Sequence, residues 1–95
     1  MVSNGDFVAL FHSIHRVMQA EKVLKEAKAP FLLIPAPREL SSSCGLAIRF
    51  DAEDKEYIKG ILQKENLLPA ELFLKSPDGY RLTGGGEADS PEVYE

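Results

Sequence analysis

The chain has 95 residues, 44% of them hydrophobic and 27% charged, with a formal charge of -4 at pH 7. That length supports one hydrophobic core and one site, because burial per residue falls as chains shorten. No apolar run approaches the roughly 20 residues a bilayer requires, the opening MVSNGDFVALF lacks the basic-then-apolar order of a secretory signal, and net negative charge argues against nucleic acid as a partner. A globular cytoplasmic protein is expected.

In chain order, residues 7–11 (FVALF) form a short apolar run bounded by polar residues, which reads as a strand buried on both faces. Ser13 is a plausible N-cap for a helix whose apolar side is Val17, Ala20, Leu24 and Ala27, with His15, Gln19, Lys22 and Glu26 opposite. Pro30 stops that helix, and residues 31–34 read as a second strand closed by Pro35 and Pro37, which cannot donate to a ladder. After a loop over residues 38–45, residues 46–50 read as a third strand. Asp51 then caps a second helix with Tyr57, Ile58, Ile61 and Leu62 on its buried side, ending near Asn66. Residues 71–75 make a fourth strand, and the turn Ser76-Pro77-Asp78-Gly79 returns residues 80–83 as a short edge strand. The domain is expected over residues 1–83, with residues 84–95 a flexible acidic tail.

The order β-α-β-β-α-β suggests two split β-α-β halves: an α+β, ferredoxin-like fold with a four-stranded antiparallel sheet and two helices on one face. The first strand has Phe7, Ala9 and Phe11 on one side and Val8 and Leu10 on the other, and helices can cover one side. The remaining apolar face is therefore expected to dock, most simply against a second copy in a homodimer.

The same topology runs the first two strands in one direction and sets the third against the first. Cys44, just before the third strand and the single cysteine of the chain, should then lie beside His12, Ser13 and the opening of the first helix. A lone thiol cannot form an internal disulfide, and with His12 and His15 it makes a thin ligand set, so neither a metal nor another cofactor is expected. A free thiol titrates near ~8.5, and helix N-termini and cations lower that value and favour the reactive thiolate. Arg38 and protonated His12 or His15 are the candidate cations, while the hydroxyls of Ser41, Ser42 and Ser43 and the turn at Gly45 could gather around a terminal anion. Charge placement agrees, since residues 1–50 hold six Lys/Arg against four Asp/Glu and residues 51–95 hold five against eleven. Arg49 alternates onto the face away from the helices, where it could bind an anion or serve an interface. From the residues alone two readings stand: a reactive Cys44, or a small side chain plugging the sheet end within a polar loop.

Residues 37–50, PRELSSSCGLAIRF, resemble the signature of the bacterial selenium/sulfur carrier-like domain, with Pro-Arg-x-x-Ser-x-x-Cys-Gly as the specific part. The resemblance extends through Phe11-His12-Ser13, residues 20–25 (AEKVLK) and Leu33-Ile34-Pro35, covering roughly residues 7–75. It implies a relay in which Cys44 holds a persulfide or selenopersulfide received from a donor protein and passed to an acceptor protein. The competing expectation is a small-anion-binding or protein-interaction module with Cys44 a bystander. A hydrolase of the acylphosphatase kind lacks an evident constellation, since fold does not determine chemistry.

Overall fold

A computed structural model describes residues 3–40 and 45–84. Strand β1 (Phe7–Leu10) is buried at every position, and its alternation divides the interior in two. Phe7 and Ala9, with Phe11 beyond the strand end, face a core completed by both helices, whereas Val8 and Leu10 belong to a second cluster on the opposite face. Helix α1 (Ile14–Glu26) contributes Val17, Ala20 and Leu24 to the first core. Ser13 is its N-cap, with the side-chain oxygen accepting from the Arg16 N–H at 3.3 Å, so one donor of the first turn is satisfied.

α1 ends before Pro30, in a left-handed turn at Lys28 (φ 59°) that lets the Ala29 N–H donate to the Leu24 carbonyl at 3.0 Å. A Cβ in that conformation is costly and glycine removes the cost. Lys28→Gly is therefore expected to stabilise the protein by about 0.5–1 kcal/mol, the strain relieved outweighing the extra freedom of the unfolded chain. A rise in the urea midpoint at unchanged slope is the readout.

Strands β2 (Leu32–Pro35) and β3 (Leu46–Phe50) pair antiparallel, and a 3-10 turn (Ala52–Asp54) leads into helix α2 (Lys55–Lys64). Asp51 makes no side-chain capping bond; it is held by Arg49 instead. α2 buries Ile58 and Leu62 and closes through Asn66 (φ 59°) in the same manner as α1, with the Leu67 N–H donating to the Leu62 carbonyl at 2.8 Å.

Strands β4 (Glu71–Ser76) and β5 (Gly79–Gly84) complete a sheet of order β2-β3-β1-β4-β5, antiparallel throughout. The sheet has five strands rather than the expected four. The turn at residues 76–79 is tight enough, with Gly79 at φ 132° and the Ser76 hydroxyl donating to the Gly79 carbonyl, to lay the returning chain fully along β4. Gly84 closes β5 instead of opening the tail, and residues 85–95 lie outside the described residues.

The helix-free face also differs from expectation. Val8, Leu10, Ile34 and Ala47 are buried there together with Leu40 from the β2–β3 loop, and Ala36, Phe73 and Tyr80 pack against them. The chain thus covers these side chains itself and needs no second copy to remove them from water. Burial raises the Tyr80 phenol above its usual range and the Glu39 carboxylate raises it further, so the loop and β5 meet across that face. Among the described residues no helix is long and apolar enough to cross a membrane.

Candidate functional site

The β1–α1 junction and the β2–β3 loop open at one end of the sheet. The antiparallel register pairs Leu10 with Ala47 and Pro35 with Leu46, so His12 and Ser13, which follow β1, and Gly45, which precedes β3, lie at that end. Ser41, Ser42, Ser43 and Cys44 are outside the described residues, but the residues on either side of them are fixed.

The loop is tied at its base where the Ala36 N–H donates to the Gly45 carbonyl at 2.9 Å. It turns at residues 37–40, with the Leu40 N–H donating to the Pro37 carbonyl at 3.0 Å, and the Leu40 side chain anchors in the second cluster. Four residues therefore connect a buried anchor to an exposed Gly45.

Gly45 has φ 77°, and an added Cβ would meet nothing within 4 Å, so backbone conformation rather than space demands glycine there. Gly45→Ala should cost about 1 kcal/mol and Gly45→Asn less, because asparagine tolerates the left-handed region better. Denaturant midpoints of the two variants measure the difference.

Charges of both signs lie at this end: Arg38 and the N-terminus of α1 are positive, while Glu39 beside Arg38 and Glu71, which pairs with Leu10, are carboxylates. The N-terminal turn of α1 contains no acidic residue, and its N–H groups carry the positive end of the helix dipole. His12 and His15 flank the cap and are exposed, and Arg38 is exposed on the loop. A helix N-terminus and a guanidinium depress the pKa of a neighbouring thiol. Ser13 is engaged as the α1 cap. Among the described residues no three His, Cys, Asp or Glu side chains gather as metal ligands.

Arg49 is not brought to this end. It lies four residues beyond Gly45, about 13 Å along an extended strand. Its Nε donates to Asp6 Oδ2 at 2.8 Å, and an Nη donates to Asp51 Oδ1 at 3.1 Å. Burial alone would raise the Asp6 carboxyl, but the hydrogen bonds it accepts from the Ser3 N–H and the Arg49 guanidinium, with the guanidinium's charge, outweigh it and hold the pKa below 3.8. Sequence reasoning missed Asp6. The signal was present: Arg49 of the antiparallel β3 pairs with Val8, and Asp6 stands two residues before Val8, on the same face and diagonal to the arginine.

A family model described as "Putative Se/S carrier protein-like" matches residues 6–74. No curated protein and no solved structure matches the chain.

Proposed function

The chain belongs to the Se/S carrier protein-like family, and on that premise we propose that it relays sulfur or selenium through Cys44. The observation that carries the reading is the convergence, set by the Leu10–Ala47 register, of the loop that bears Cys44 with the N-terminal end of α1. A thiolate at position 44 attacks the terminal sulfur of a donor persulfide. The donor's S–S bond breaks, a new S–S bond forms on Cys44, and the donor leaves as its thiolate, with no net oxidation. An acceptor nucleophile then takes the terminal sulfur and returns Cys44 as thiolate. A selenopersulfide follows the same course with selenium as the terminal atom.

Positive potential from the N-terminus of α1 and from Arg38 favours the thiolate before loading and the anionic persulfide after it, and the hydroxyls of Ser41, Ser42 and Ser43 can donate to that terminal anion. With one thiol the chain cannot discharge its own persulfide as an internal disulfide, which makes it a relay between a donor and an acceptor protein. An unpaired thiol of this kind suits the reducing cytoplasm.

The test is intact-protein mass spectrometry after incubation with a cysteine desulfurase and isotopically labelled cysteine. A gain of one labelled sulfur that thiol reductant removes is expected. A protein that acquires neither sulfur nor selenium, and whose thiol titrates at the ordinary value, overturns the carrier in favour of the anion-binding module.

A further inference from the structure

We propose that Leu40 is a positioning residue for sulfur transfer: by seating its side chain on the helix-free face it fixes the turn that carries Arg38, and so keeps that guanidinium at the base of the loop beside Cys44. This rests on the reading of Cys44 as the transferring thiol. Leu40 is the one buried residue of the second cluster that does not lie on a strand, and it packs with Val8, Leu10, Ile34 and Ala47 from β1, β2 and β3. It is 9% exposed although Arg38 and Glu39 just before it are exposed. Lifting the turn would return this side chain to water, so its burial ties the backbone around it to the sheet.

Arg38 and Cys44 leave the base of the loop on opposite limbs. The Ala36 N–H donates to the Gly45 carbonyl at 2.9 Å, Cys44 is one residue from Gly45, and Arg38 is two from Ala36. At about 3.8 Å per residue step, both Cα atoms lie within about 8 Å of that paired base, a separation that a long, flexible arginine side chain can close.

Pro37 restricts the first limb, and the Leu40 N–H donates to the Pro37 carbonyl at 3.0 Å, so residues 37–40 form one turn held at its start by the base bond and at its end by the Leu40 side chain. Arg38 lies between those two attachments and makes no ion pair with another described residue. Glu39, next in the turn, acts on the Tyr80 phenol, so its carboxylate is held over the helix-free face. A turn released from the sheet loses the fixed place of the guanidinium and frees the carboxylate, and both changes disfavour a nearby thiolate.

Cys44 is the single cysteine, so alkylation by iodoacetamide reads it directly, and the pH profile of the rate gives its thiolate fraction. The parent is compared with Leu40→Ala, Leu40→Met, Arg38→Gln, the combination of Leu40→Ala with Arg38→Gln, and Val8→Ala, which removes apolar volume from the same cluster without touching the loop. Leu40→Ala and Arg38→Gln should each lower the thiolate fraction at pH 7 about threefold, and Leu40→Met and Val8→Ala by less than about 1.5-fold. Once Arg38 is gone, Leu40→Ala should lower it by less than about 1.5-fold further. The loop can relax into the space left by Leu40→Ala, so that variant should melt below the parent yet still fold, and Leu40→Val, a smaller deletion, should shift the profile in the same direction. An unchanged thiolate fraction in the Leu40 variants, an equal fall in Val8→Ala, or an undiminished effect of Leu40→Ala without Arg38 would overturn the positioning role, as would a parent thiol that titrates at the ordinary value while still loading sulfur. A parent thiol that titrates low but takes no sulfur from a cysteine desulfurase or from glutathione persulfide would instead remove the carrier reading.

Discussion

A Cys44→Ser variant is expected to take up no labelled sulfur from a donor that loads the parent, leaving signal at background. The loss should be complete rather than graded, because the serine hydroxyl stays protonated at neutral pH and cannot displace a thiolate from a persulfide sulfur. The neighbouring Ser41, Ser42 and Ser43 cannot substitute, since they carry the same hydroxyl chemistry. The geometry of the loop should survive the substitution: its base is held by the Ala36–Gly45 backbone bond and its span by the Leu40 anchor, neither of which uses the thiol. Unchanged melting would therefore accompany lost loading. Label retained on Cys44→Ser would place the acceptor elsewhere in the chain and end the Cys44 relay.

The elements that were legible in the sequence are those whose signal is local or strictly periodic. The alternation in residues 7–11 divided correctly into two buried faces, Ser13 capped α1, and β3 spans the expected residues. What escaped depends on partners far apart in the chain. Asp6 and Arg49 are separated by 43 residues, so nothing local distinguished an arginine aimed at an anion from one already held by two carboxylates. Leu40 looked like a loop residue among polar neighbours, yet it closes the face that the helices leave open, which removed the premise for covering that face with a second copy. Lys28 escaped for the opposite reason: its left-handed backbone is imposed by the burial of Ala29, against its own preference. The sheet end of the candidate site was legible because it follows from strand order alone.

Arg49→Met should be the most destabilising of these substitutions, by about 2–4 kcal/mol, because it strips the cation from a buried carboxylate while keeping most of the side-chain volume. Asp6 is 7% exposed, and the Arg49 side chain is 20% exposed, which places the cost below that of a fully enclosed pair. For a chain of this size the melting temperature should fall by roughly 10–20 °C. The pH dependence separates the ion pair from mere loss of packing. In the parent, Asp6 titrates below its unfolded value of 3.8, so its contribution is fully present above that pH and disappears as pH falls through the lower, folded value. Without Arg49, desolvation, the largest influence on Asp6, dominates and pushes the carboxyl upward. Its contribution then reverses sign: it is present below the unfolded pKa and is lost as pH rises through the new folded value. Stability profiles of parent and variant should therefore slope in opposite directions across the acid range, and Asp6→Asn in the variant should recover part of the loss by removing the uncompensated charge. Parallel profiles, or no recovery from the second substitution, would show that the Asp6–Arg49 pair does not hold the end of the sheet remote from Cys44.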